Sequence, residues 1–444
     1  MSETKGPKGS WLFGVGAEYG KGPLKFFMKT AREYPGIASF RITHRRMHIL
    51  SSPDFIKHVL VTNNKNYRKG LKYDELKYFL GNSLASSEGD FWRKQRRMAQ
   101  PSFSRQKIAS FMQTMLDYTT ETIDKWEKEE RTTLEMNKEM QELSLGIVGR
   151  TLFNKDIIRE FKEIGDYITF AMSVVNNRIQ TTFNKPMWLP TPTHLKFKKA
   201  KKVLDKFFYQ LIEERKKNTF DTPDLLSMLM DAYDEDTGEK MSNVQLRDEI
   251  AAIIVGGQES TALGLGWVMY LLSQNKEVEQ KLCEEIERVT GGNEITIEHV
   301  PQLSYTMQIV KESLRLYPPF WIFARKALDD DLLGDREIKK GDNILISSYV
   351  VHRSEKYWKD PEVFDPERFS VENSKNIKKH AYIPFGAGPR LCIGNNFALL
   401  EMQIVIAKIY QRYTLTPVGN SGKEIKATIS LGAKDGLYMN LIKR

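Results

Sequence analysis

Only two cysteines, Cys283 and Cys392, occur in 444 residues, so a disulfide framework has no material and a reducing compartment fits. No Cys-x-x-Cys-His run is present, which excludes a haem attached covalently in that manner. No stretch approaches about 18 uninterrupted apolar residues, and the polar, lysine-bearing start from Met1 to Ser10 has no apolar leader core. No transmembrane anchor is therefore expected, and the cytoplasm is the expected location. Linkers rich in Pro or Ser, repeats and low-complexity tracts are also missing. The chain reads as one α-rich domain over 1–444, with 1–34 as a lead-in. Histidine is scarce, and the close pair His44 and His48 falls in a strand-turn-strand pattern (38–42, 47–50). An i,i+4 spacing does not bring side chains together there as it would on a helix, so zinc is poorly supported. The net charge of +10 comes with no nucleic-acid motif and with lysines spread along the chain, so no nucleic-acid partner is expected.

What is present is a cysteine in an unusual setting. Residues 384–394 read Pro-Phe-Gly-Ala-Gly-Pro-Arg-Leu-Cys-Ile-Gly. A helix is predicted to follow, from about 393 to 410, on the spacing of Phe397, Leu400, Ile404 and Ala407. A thiol at a helix N-terminus lies beside unbonded N–H groups and the positive end of the dipole, and both favour thiolate. Gly386, Gly388 and Gly394 permit turns closed to other residues and let a large flat ligand approach the main chain. Arg390 can offer that ligand a cation. With Phe385, Gly388, Arg390, Cys392 and Gly394 at its fixed positions, the loop resembles the haem-binding loop of the cytochrome P-450 superfamily. The resemblance implies a mainly α fold with small β-sheet regions, and haem b between a long distal helix and the cysteine-loop helix. Cys392 would be the axial thiolate on the iron.

A second segment points the same way. Ser242-Asn243-Val244-Gln245 is a capping-box pattern, from which a helix is predicted to about 273. In its middle stand Gly256 and Gly257, each costing roughly 1 kcal/mol relative to alanine. Glu259, Ser260 and Thr261 follow, lining a notch where a small ligand could sit. This resembles the superfamily's oxygen-binding segment. The resemblance implies dioxygen beside Gly257 and a proton relay through Glu259 and Ser260, with a share for Thr261. Ser260 stands where the family usually has Thr. The hydroxyl is kept, while the β-branched restraint on its rotamer is lost.

Three further segments add ion pairs. Glu312 and Arg315 are i,i+3 on a predicted helix over 305–316, and Phe364-Asp365-Pro366-Glu367-Arg368-Phe369 resembles a family segment. By that resemblance Glu312, Arg315 and Arg368 form a buried structural triad that positions the cysteine loop. Trp92 and Arg96 are i,i+4 on a helix predicted to be capped by Asp90, and together they suit a haem propionate. Arg93 and Arg97 occupy a neighbouring face, where an acidic electron donor could meet them. Arg325 stands where the family often has another propionate-binding arginine, while His352 lies near a segment where some members add a propionate contact but reads rather as a structural or surface histidine. Phe320, Trp321, Ile322, Phe323 and Leu431 are the candidate substrate pocket.

The reaction implied is that of a haem-thiolate monooxygenase: one oxygen atom from O2 enters a large hydrophobic substrate, a carotenoid, terpenoid or fatty acid. Arg68, Lys69 and Lys72 are candidates to anchor a fatty-acid carboxylate. No fused reductase is expected, so NAD(P)H-derived electrons would come through a ferredoxin or flavodoxin-type partner. A peroxide-driven peroxygenase and a haem-thiolate sensor without turnover are the alternatives, and the Glu259–Ser260 pair argues against both.

Overall fold

The computed structural model describes residues 6–156, 162–181, 183–217 and 224–444. Helices dominate, with small sheets between them, as the fold class read from sequence requires. Those bearing candidate site residues are α1 (Gly89–Ala99), α2 (Met136–Phe153), α3 (Asn243–Gln274), α4 (Ser304–Leu316) and α5 (Asn395–Arg412). The chain forms two compact units. The first holds Met1–Leu71, Met307–Cys392 and Glu424–Lys434; the second holds Lys72–Thr306, Ile393–Lys423 and Asp435–Arg444.

The first unit is built on a five-stranded mixed sheet of β1 (Ile37–Ile42), β2 (Arg45–Leu50), β3 (Tyr67–Lys69), β4 (Phe323–Ala327) and β5 (Asn343–Ile346). The strands lie in the order β1-β2-β5-β4-β3. β1 and β2 form an antiparallel hairpin with Phe40 opposite Met47, and β2 runs parallel to β5 with Ile49 opposite Leu345. Strand alternation gives the sheet two apolar faces. Ala38, Phe40, Met47 and Ile49 pack with Phe26, Phe27 and Trp321, while Ile37, Leu50 and Ile346 pack with Val59, Leu60 and Ile383. His48 is fully buried in this sheet. Its Nδ1 lies 2.8 Å from Ser39 Oγ and its Nε2 2.9 Å from Asp342 Oδ2, so both ring nitrogens are taken by β-sheet partners.

The second unit is largely helical, and α3 is its central element, buried almost all round from Thr261 to Ser273. Its start follows from the capping box. Gln245 N donates to Ser242 Oγ (3.3 Å) and Ser242 N donates to Gln245 Oε1 (2.7 Å), satisfying reciprocal orphan donors. The helix then runs unbroken through Gly256-Gly257, because tertiary burial outweighs the propensity cost.

Two predicted boundaries move. Helix α1 begins at Gly89, with Glu88 at the N-cap position and no side-chain cap, so Asp90 is not the cap. Asp90 instead sits in the first turn and pairs with Arg93 at 2.8 Å, still favourable toward the helix dipole. Helix α5 begins at Asn395, two residues later than the apolar spacing suggested.

Candidate functional site

The cysteine loop belongs to the first unit. Gly388 has φ +69°, and a Cβ there would lie 1.9 Å from the Leu60 carbonyl oxygen, so no other residue fits. Ile383 O accepts from Gly386 N (3.1 Å), Gly388 O from Leu391 N (3.0 Å) and Phe385 O from Cys392 N (3.0 Å). The loop is thus folded on its own main chain, and it leaves the Cys392 thiol exposed three residues ahead of α5. Cys283 is the opposite case. It is buried on a helix, and burial pushes its thiol pKa up, which keeps it protonated and poor as a ligand.

In the same unit the structure brings Glu312, Arg315 and Arg368 together. Arg315 grips Glu312 through two parallel bonds of 2.7 Å, and both side chains are fully buried. The other Arg315 donors reach the carbonyls of His352 (2.8 Å), Pro361 (2.7 Å) and Val363 (3.1 Å), so every guanidinium N–H has an acceptor. Glu312 also accepts from Asp365 N (3.0 Å) and Arg368 Nε (3.4 Å). Burial still pushes the Glu312 carboxyl above its ordinary range, and Arg315, Asp365 N and Arg368 pull against that shift, as a tolerated buried ion pair requires.

On α3, in the second unit, the helical phase sorts the candidates. Ser260 Oγ donates to Gly256 O at 2.6 Å, so these two share a face. A Cβ at Gly256 would meet nothing within 4 Å, whereas one at Gly257 would lie 2.8 Å from Val148 Cγ2 on α2. Thr261, one turn beyond Gly257, is 2% exposed, and its hydroxyl has no hydrogen-bond partner. Gly257 and Thr261 thus share the other face of the helix, with Gly257 close against Val148 of α2. The open notch belongs to Gly256 and Ser260. Gly256 was read with Gly257 as the source of the notch, and its place four residues before Ser260 joins it to that hydroxyl. Glu259 is half-buried beside this face.

Trp92 is buried on α1, and Arg96 is half-buried with Nε 3.3 Å from Gln100 Oε1. Arg97 is taken by an acidic turn, bonding Asp234 and, at 2.7 Å, Asp236. Arg97 holds the Asp234 carboxyl at a pKa of about 2, so this arginine is committed inside the unit. Arg325, on β4, is 8% exposed and places its guanidinium 5.3 Å from the Phe323 ring.

The pocket list needs the largest correction. Trp321 is 1% exposed, donates its indole N–H to Thr428 O (2.9 Å) and packs against Phe27; Leu431 is fully buried beside it. Both are core residues, because they close one apolar face of the sheet. Ile322 joins that face and Phe323 the opposite one, as strand alternation dictates, so the two do not share a wall. Phe320 alone of the run is exposed.

Comparison with known proteins accords with this geometry. A family model described as Cytochrome P450 matches residues 4–439. Cyclooctat-9-en-7-ol 5-monooxygenase of Streptomyces melanosporofaciens is 33% identical over 400 residues, covering 89% of this chain and 86% of that protein. Pentalenene oxygenase of Streptomyces avermitilis is 30% identical (88% and 86% covered). Carotene epsilon-monooxygenase of Arabidopsis thaliana is 28% identical (94% and 81%).

Proposed function

This chain belongs to the cytochrome P450 family, as an oxidoreductase of the monooxygenase type, and from that premise we propose that it hydroxylates a large terpenoid or carotenoid. The observation that carries the reading is the exposed Cys392 thiol, presented by a loop whose own hydrogen bonds and glycine turns hold it open. That donor set fits haem b: one exposed thiol that would ligate the iron, and glycines that keep side chains off the approach. When bound, the haem supplies the activation of O2 and the oxidising power for inserting one oxygen atom.

The residues of this chain do the rest. Cys392 would hold the iron, and Phe385, Gly388, Arg390 and Gly394 shape its loop. Trp92, Arg96 and Arg325 are assigned to the propionates. Glu259 would take protons from solvent, and Ser260 Oγ would hand them on at the Gly256 notch. In its resting rotamer the Ser260 hydroxyl donates to Gly256 O, which leaves its lone pairs able to accept. To donate elsewhere it gives up that hydrogen bond, worth about 1 kcal/mol, by turning its proton about the Cβ–Oγ bond or, where Oγ itself has to move, by a turn about χ1. Serine, lacking the β-branch, makes that turn more freely than threonine.

The molecules in the relatives' names, cyclooctat-9-en-7-ol, pentalenene and carotene, are hydrocarbon-rich and carry no carboxylate, which favours the terpenoid and carotenoid class over fatty acids. In keeping with that, the Lys72 ammonium is bonded to the carbonyls of Arg178 (3.2 Å) and Thr181 and so is not free to anchor a carboxylate. Electrons are assigned to an external ferredoxin or flavodoxin-type protein reduced by NAD(P)H. No helix among the described residues is long and apolar enough to cross a membrane, and we place the enzyme in the cytoplasm as a single catalytic domain.

Product analysis with terpenoid, carotenoid and fatty-acid panels tests the reading, run with reductase and NAD(P)H, with hydrogen peroxide alone, and with no oxidant. Hydroxylated terpenoid or carotenoid in the reductase arm is expected. Product in the peroxide arm only would overturn the Glu259–Ser260 relay and favour a peroxygenase, and no product in any arm would favour a sensor.

A further inference from the structure

His352 is fully buried, and both of its ring nitrogens are committed. Nδ1 lies 3.0 Å from the Arg315 carbonyl, which can only accept, so this nitrogen carries the proton. Nε2 lies 2.8 Å from Ile383 N, which can only donate, so this nitrogen is bare. The imidazole is therefore one fixed neutral tautomer. Its surroundings agree, since burial pushes its pKa down to about 3. The ring also stacks on Tyr382 at 5.3 Å, and the Tyr382 hydroxyl donates to Lys311 O (2.9 Å). On the main chain, His352 O accepts from Arg315 Nη1, so the residue meets Arg315 twice.

The consequence lies at Ile383. Its N–H is held by His352, while its carbonyl accepts from Gly386 and so closes the turn that opens the cysteine loop. Within that loop Phe385 O accepts from Cys392 N. A continuous relay of hydrogen bonds runs from the Arg315 carbonyl through the imidazole to the loop that fixes the cysteine main chain. We propose that His352 is a positioning residue for Cys392, tying the buried Glu312–Arg315 pair to the turn at Ile383 from which the cysteine loop is folded. This rests on Cys392 being the haem ligand, as proposed above.

Two substitutions separate this role from general support of the core. His352→Asn can place an amide N–H near the Nδ1 position and satisfy Arg315, but it leaves the Ile383 N–H stranded. His352→Gln can place an amide oxygen near the Nε2 position and keep the Ile383 bond. The readouts, on the haem-loaded full chain, are the thiolate signature of the reduced carbon-monoxide spectrum, its rate of decay, and amide exchange at Ile383. The expected result is decay about tenfold faster in His352→Asn, the scale of one buried unsatisfied N–H, with His352→Gln near wild type. Ile383 exchange in the unsubstituted protein should be as slow as the core of its unit. Equal behaviour of the two variants, whether both intact or both impaired, would overturn the proposal. Should His352→Asn fail to fold, fast Ile383 exchange in the unsubstituted protein would overturn it instead. Absence of the thiolate signature from the unsubstituted protein would overturn the Cys392 reading, a separate failure.

Discussion

The cysteine loop with its support and the glycine helix α3 solve opposite problems. Within the Glu312–Arg315–His352 group the polar atoms are used: Glu312 is gripped on both oxygens, each Arg315 guanidinium N–H finds an acceptor, and both His352 nitrogens are bonded, although the neighbouring Trp358 Nε1 and Ser313 Oγ have no partner. On α3 the functional face is left spare. Gly256 faces open space, Ser260 bonds only its own helix carbonyl, and Thr261 keeps an unpartnered hydroxyl on the packed face. Rigidity comes from saturation in the first case, and chemical availability from deliberate under-use in the second.

The sharpest way to break the saturated side is Arg315→Ala. It strands Glu312 in a buried setting, and a stability loss of about 3–5 kcal/mol is expected, read as a lower denaturation midpoint with loss of haem uptake. A loss below about 1 kcal/mol would mean that the network is dispensable.

Glu401, on α5, offers a buried acid that is not saturated. Ser144 Oγ bonds one carboxyl oxygen at 2.6 Å, the other has no partner, and burial pushes the pKa up to about 8. The folded value lies above the ordinary 4.5, so the stability contributed by the protonated acid is full below pH 4.5 and is lost as pH rises toward 8. Glu401→Gln removes that dependence. Its advantage over the unsubstituted protein should grow by about 1.4 kcal/mol per pH unit across that window, followed by denaturant titration at several pH values. A gap that stays constant with pH would place the Glu401 titration elsewhere.

Two neighbouring glycines test the sorting of α3 faces. Gly257→Ala drives a methyl to 2.8 Å from Val148 Cγ2, and destabilisation of about 1–3 kcal/mol is expected. Gly256→Ala meets no atom, so its stability should be unchanged or raised by up to about 1 kcal/mol, while product per NAD(P)H falls. The reverse pattern would exchange the roles of the two glycines. The smallest structural effect is expected from Ser260→Thr. Stability should stay within about 0.5 kcal/mol, and the readout is the ratio of product to NAD(P)H consumed.

Much of the site was legible because it is written in covalent spacing. The i,i+3 step puts Glu312 and Arg315 on one face wherever the helix lies, and the Ser242–Gln245 box announced the start of α3 to the residue. The cysteine and its glycines needed only the local chain. What failed to read was phase against a neighbour. Gly256 and Gly257 differ by one helical step, and only the position of Val148 on α2 makes one open and the other packed. Trp321 and Leu431 looked like pocket residues because apolar side chains suit either a pocket or a core, and only the sheet face they cover decides. His352 read only as structural or surface, because its partners lie 37 and 31 residues away along the chain and no local spacing names them.

The sequence by itself determined the chemistry on offer: one thiol ahead of a helix, an acid–alcohol pair after two glycines, and an ion pair one turn apart. Bond geometry sets how side chains project from their own element, so these relations hold in any environment. The tertiary structure alone decided which of those groups are saturated and which are left available. Burial and hydrogen-bond partnership depend on elements brought from far along the chain, and no local spacing encodes their arrival.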